Sequence, residues 1–214
     1  MPAGFDGHRG RVRDYRRGMR MFVALLPPGR AVEDLEEYLT PRQEAEDGLR
    51  WTAPEQWHVT LAFFGDVADR HLDDLVDRLG RAASRRTCVE LSISGAGAFP
   101  NVGRAKVVYA GIDAAGGGEE LRRMANGARA AGSKAGAGGD GGRFHPHVTL
   151  ARCRHPIEAT RWIRVLDGYR GPPWQATEMT LVESHLGEGP RRRPRYEVVE
   201  TFGFGKEPEQ HRTV

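Results

Sequence analysis

The tetrapeptide His58-Val59-Thr60-Leu61 recurs residue for residue as His147-Val148-Thr149-Leu150, and each copy sets an imidazole two positions from a hydroxyl. In a strand, residues two apart share a face, so His58 projects with Thr60 and His147 with Thr149, while Val59, Leu61, Val148 and Leu150 anchor the opposite face. Two such strands brought to one cavity would present two imidazoles and two hydroxyls together. That set suits phosphoryl chemistry. A neutral imidazole takes a proton from water, a protonated one gives a proton to a leaving oxygen, and hydroxyls donate to phosphate oxygens. Neither transfer calls on a metal. A single copy would be an unremarkable strand histidine, but two copies in matching contexts point to one shared mechanism.

The remaining candidates are weaker. His145 and His147 form a His-x-His pair, a pattern that can share a metal from alternating strand positions, yet no further His or carboxylate ligands stand at supporting spacing, so no metal and no cofactor is expected. His8, His71, His155, His185 and His211 lack comparable partners and read as surface or structural residues. Phe64, Phe144, Tyr169 and Trp174 could stack on a nucleobase, although aromatic residues more commonly fill cores. Cys88 and Cys153 lie far apart without metal or redox spacing, so they read as buried structural thiols.

The elements that must position the two tetrapeptides follow from periodicity. Strands are expected at 21–26, 58–64 (bounded by Gly65), 88–93, 105–112, 147–152, 178–185 and 195–202. Helices are expected at 31–39, at 72–79 between an Asp69 cap and a Gly80 stop, at 119–131, and from Pro156 to Leu166. Residues 135–142, AGAGGDGG, read as a mobile loop. Each tetrapeptide is followed by a helix and then an alternating strand, which points to a duplicated unit. The expected fold is therefore α+β and two-lobed, with mixed or antiparallel sheets facing across a central cleft and helices outside.

Composition bounds the rest. The 214 residues are 39% apolar and 29% charged, enough for a core without disulfides and too polar for a membrane-embedded chain. No apolar run approaches the roughly 20 residues that span a bilayer, and Met21 to Leu26 is too short for a signal sequence, so a cytoplasmic protein is expected. The 32 basic and 29 acidic residues nearly balance, but arginines crowd residues 9–20 and 191–195, where they could attract phosphates. Residues 1–18 read as a disordered basic arm, 19–205 as the folded domain with its two lobes, and 206–214 as a tail.

The spans WHVTLAFFGDV and FHPHVTLARC resemble the paired signature of the two-histidine phosphoesterase superfamily, and within it the RNA 2′,3′-cyclic phosphodiesterases also called 2′-5′ RNA ligases. RMFVALLPP resembles that family's opening strand, GAFPNVGRAKVVYAGI its middle and LVESHLGEGPRRRPRYEVVETF its closing hairpin, so the likeness covers roughly residues 20–204. It implies His58 as proton donor, His147 as proton acceptor, and Thr60, Thr149 and Arg152 as phosphate ligands. Strict alternation would put Arg152 on the face opposite His147, unless a bulge redirects it. The implied reaction is hydrolysis of a terminal ribose 2′,3′-cyclic phosphate on RNA to a 2′-phosphomonoester, with reversible 2′-5′ ligation. The implied partners are RNA bearing such ends or small cyclic nucleotides, acted on by a monomer. Two other readings stand beside it: a phosphodiesterase for small nucleotides such as an ADP-ribose cyclic phosphate, and a non-catalytic module that binds RNA ends. The arginine-rich arm and the glycine-rich approach to the second motif depart from the family pattern.

Overall fold

A computed structural model of the chain describes residues 18–43, 49–139 and 141–205. The expected basic arm, apart from Gly18, and the expected tail lie outside these residues. In chain order the elements are β1 (Met19–Leu25), α1 (Gly29–Gln43), β2 (Arg50–Trp51), β3 (Val59–Val67), α2 (Leu72–Ala83), β4 (Val89–Phe99), β5 (Ala105–Asp113), α3 (Gly118–Lys134), β6 (His147–Ile157), α4 (Thr160–Leu166), β7 (Trp174–Ala176), β8 (Glu178–His185) and β9 (Arg195–Gly203).

The strands form one antiparallel sheet in the order β7-β4-β5-β6-β3-β1-β8-β9, with β2 paired to β6. Its two halves meet at a single registered pair, Val59 opposite Val148. Away from that pair β3 and β6 splay apart, and the two lobes open a cleft between them. The duplicated units are not themselves the lobes. Counting with each unit the strand ahead of its motif, β1 for the first and β5 for the second, the closing strand β4 of the first pairs with β5 of the second, and the closing strand β8 of the second pairs with β1 of the first. Each lobe is thus built from both halves of the sequence.

Alternation along β1 shows which face does what. Met21, Val23 and Leu25 join the main core, whereas Phe22 and Ala24 pack with Val182 in a small cluster on the cleft side. The main core lies behind the sheet, where the helices bury apolar stripes: Leu35 and Leu39 of α1, Leu75 and Leu79 of α2, Leu121 and Met124 of α3. The α+β class, the two lobes and the outer helices agree with the sequence expectation.

Several boundaries differ, each for a physical reason. Gly65 lies inside β3, which runs on to the fully buried Val67. Gly80 lies inside α2 rather than ending it, because the helix buries Ala83 one turn later, and the Phe202 ring packs over the glycine. Pro156 belongs to β6, in the stretch between Arg152 and Ile157 where no pair with β5 is made and no amide is missed. The helix α4 starts later, at Thr160, whose amide donates to the Glu158 carboxylate. The glycine-rich segment opens as a helix cap: Gly136, at φ 73°, donates to the Ser133 carbonyl, Ala137 donates to that of Gly132, and both Ala135 and Ala137 are buried. The short strands β2 and β7 carry too few residues for periodicity to show.

Candidate active site

At the junction of β3 and β6 Val59 pairs with Val148, and His58 and His147 each directly precede one of these valines, so the two motifs meet there in antiparallel sense. His58, Thr60, His147 and Thr149 all line one cleft of about 400 Å³.

Arg152 joins them through a bulge. Against β5, Tyr109 pairs with Thr149 and Val108 with Ala151, leaving Leu150 as an extra residue, and both Leu150 and Ala151 are buried. The parity of β6 therefore reverses after Thr149, and Arg152 reaches the cleft on the face of His147. The first motif does the same. Against β1, Ala24 pairs with Thr60 and Val23 with Ala62, Leu61 is the extra residue, and Phe63 turns into the cleft. The two motifs thus present His58, Thr60 and Phe63 opposite His147, Thr149 and Arg152. The guanidinium of Arg20 lies 4.3 Å from the centre of the Phe63 ring, so a cation stands in that half as well.

Both imidazoles are held alike. His58 Nδ1 lies 2.6 Å from the Gln56 carbonyl oxygen, and His147 Nδ1 lies 2.7 Å from that of His145. A carbonyl only accepts, so each Nδ1 donates its proton and each Nε2 is left as the basic nitrogen. Phe22 stacks on His58 with centroids 4.6 Å apart, and Tyr196 meets it edge-on at 5.6 Å. Phe99 and Tyr109 flank His147 at 5.0 and 5.1 Å.

Burial against these rings disfavours the charged form, pushing His58 down from 6.5 to about 4; the Gln56 carbonyl opposes this, and His147 and Arg152 add repulsion. His147 is lowered for the same leading reason, with His145 and Arg152 adding repulsion. Both imidazoles are therefore neutral near pH 7. Among the described residues Arg20, Arg50, Arg152 and Arg193 line the cleft and no carboxylate does, so its field favours an anion.

Of the other residues singled out by sequence, Phe64, Tyr169 and Trp174 are core, and Phe144 packs against it. The aromatics of the cleft are Phe22, Trp51, Phe63 and Tyr196. His145 lends its carbonyl to His147 and sets its ring among Phe99 and Tyr109. His185 lies 3.5 to 3.8 Å from Glu183, Glu188 and Glu197. Among the described residues no group of three or more His, Cys, Asp or Glu is placed to hold a metal ion. Cys88 and Cys153 are free thiols, half-buried rather than buried. Arg20 reaches the cleft from the arginine cluster at residues 9–20 that the sequence marks, whereas Phe22, Gln56 and Tyr196 are not marked there; the alternation of β1 sets Phe22 on the face of Arg20, and nothing local marks Gln56.

The sequence model of the LigT like phosphoesterases matches residues 26–109. An RNA 2′,3′-cyclic phosphodiesterase of Thermus thermophilus is 32% identical over 87% of this chain and 90% of its own, and one of Aeropyrum pernix is 32% identical over 70% and 85%. Among solved structures, TT0787 of T. thermophilus superposes with a TM-score of 0.68 at 29% identity, covering 88% of this chain and 99% of its own. The apo form of E. coli LigT superposes with a TM-score of 0.69 at 25% identity, covering 89% and 99%. With fold, paired motifs and relatives in agreement along most of its length, the chain belongs to the family of LigT-like phosphoesterases.

Proposed function

We propose that the protein hydrolyses the 2′,3′-cyclic phosphate at the end of an RNA to a 2′-phosphomonoester, with His147 as base and His58 as acid. Water attacks phosphorus and gives its proton to His147 Nε2. The bond from phosphorus to the 3′ oxygen breaks, and that oxygen takes the proton from His58 Nε2. Thr60 and Thr149 donate to the non-bridging oxygens, and Arg152 neutralises the charge gathering there. The observation that carries the reading is the pair of free Nε2 atoms, each fixed by an Nδ1 bond to a backbone carbonyl two residues upstream, on facing strands of one arginine-lined cleft.

The lowered basicity of His58 fits an acid once it is charged. Substrate phosphate supplies the counter-charge that lets it hold a proton, and the buried imidazolium then gives it up readily. A 5′-hydroxyl replacing water in the same geometry would form a 2′-5′ linkage, the ligation expected from sequence. The relatives' names support the substrate class, and a crystal structure of E. coli LigT holds 3′-AMP.

Incubating a short RNA bearing a cyclic phosphate, and resolving 2′- from 3′-monoester, tests the reading. The 2′-monoester is expected; a 3′-monoester would reverse the nucleotide's orientation between the histidines, and turnover of cyclic mononucleotides alone would replace RNA with a small substrate. A substrate whose leaving group needs no proton should rescue His58→Ala and not His147→Ala. The reverse pattern would exchange their roles.

A further inference from the structure

Behind the sheet, α2 and α3 lie side by side and enclose a second groove of about 410 Å³. It is remote from the cleft, because α3 packs on the core face of β3, with Gly132 against the Phe64 ring. Its floor is made of small residues. A Cβ at Gly127 would lie 3.7 Å from that of Ala82, and Ala130 and Ala131 extend the floor along α3. Its walls carry Arg78, Arg81, Arg85, Arg86, Arg123 and Lys134, and among the described residues no carboxylate lines it.

Three of these cations are already paired: Arg78 with Asp74 at 2.8 Å, Arg86 with Glu120 at 3.6 Å and Arg123 with Glu119 at 3.5 Å. Arg81, Arg85 and Lys134 are exposed and have no ion-pair partner among the described residues. A favourable charge for the helix dipole would account for Arg81 and Lys134, each in the last turn of its helix. Arg123 is held by both Glu119 and Glu120, and neither the dipole nor these pairs account for the convergence of cations from two helices on one trough.

We infer that the α2–α3 groove is a second site for the phosphodiester backbone of RNA, holding a stretch of a long substrate while its end occupies the cleft. The inference rests on RNA being the substrate. Guanidinium forks pair with phosphate oxygens, and the small floor lets a backbone lie between the helices. Among the described residues no aromatic side chain lines the groove, so it grips phosphates without reading bases. A membrane is the poorer fit, because among the described residues the exposed large apolar side chains, Leu26, Val165, Leu186 and Val198, all lie elsewhere.

The test is fluorescence anisotropy of the whole chain with a labelled single-stranded RNA several tens of nucleotides long and ending in a 3′-hydroxyl. Arg81→Glu, Arg85→Glu and Lys134→Glu combined should weaken binding at low salt by at least about tenfold. The slope of log affinity against log salt should flatten by about 2, at roughly 0.7 for each phosphate that the variant leaves un-neutralised. The combined glutamine variant should shift both in the same direction by less, and it decides the matter if charge reversal unfolds the protein. Turnover of 2′,3′-cyclic AMP should be unchanged in both variants. Unaltered RNA affinity and salt slope in a folded variant would overturn the inference, as would a loss confined to anionic phospholipid vesicles. Wild-type protein that leaves both 2′,3′-cyclic AMP and cyclic-ended RNA intact would strike the proposed reaction instead, with the groove judged separately by the binding data.

Discussion

Two histidines that stack on or edge against aromatic rings, in a cleft lined by arginines, are kept neutral by their burial. The proposed mechanism needs one of them charged, which makes the singly protonated free enzyme its working form, and that form is most populated between the two lowered values, below pH 6.5. Above both values that form is lost about tenfold per pH unit, so kcat/KM, which reports the free enzyme, should decline steadily from pH 6.5 to 8. Bound phosphate raises both imidazoles, so kcat should peak at higher pH than kcat/KM. A kcat/KM flat over that range would contradict the burial argument. Thr60→Val and Thr149→Val each remove a donor to a charged oxygen while keeping the shape, a loss of roughly 1.5–3 kcal/mol, or about ten- to a hundredfold in rate. Wild-type rates in both variants would take the threonines out of the site. The imidazoles and hydroxyls could be read in the sequence because the same tetrapeptide occurs twice. The rings that set their basicity could not, since Phe22 and Tyr196 come from β1 and β9 and meet His58 only in the folded sheet.

Single-residue bulges decide which side chains of β3 and β6 reach the cleft. Strict alternation places Arg152 and Phe63 in the core, and the extra residues Leu61 and Leu150 turn both outward. The doublets Leu61-Ala62 and Leu150-Ala151, apolar where alternation calls for one polar position, are the local trace of those bulges. Glycine and proline misled for the opposite reason. Gly80 and Pro156 break isolated elements, but Gly80 is held within α2 by packing against Phe202, and Pro156 falls where β6 makes no ladder bonds. Gly132 shows how tightly the helical layer backs β3: a Cβ there would fall 2.1 Å from the Phe64 ring. Gly132→Ala gains about 1 kcal/mol of helix propensity and meets an overpacking penalty of about 1–3 kcal/mol. The melting temperature should fall by a few degrees, and a rise would show that α3 can move off β3 freely.

At the scale of the molecule, duplication supplies symmetry and strand exchange locks it. Because β4 and β8 each complete the other unit's lobe, neither lobe can form from one half of the sequence, and the two motifs are brought to the single junction at Val59 and Val148. The repeated order of strand, helix and strand was visible in the sequence. The exchange was not, since it depends on pairing between strands distant along the chain and leaves no local trace. Symmetry breaks where function asks for it, with Arg152 in one half matched by Phe63 and Arg20 in the other. The central claim is that the two imidazoles act as an acid–base pair on one cyclic phosphate. It is tested most directly by the rate at which His58→Ala and His147→Ala, each shown to be folded, open the cyclic phosphate of an RNA end under saturating substrate. Both rates should fall by about 10² to 10⁴ relative to the unaltered protein. Turnover at the unaltered rate by either variant would contradict the account.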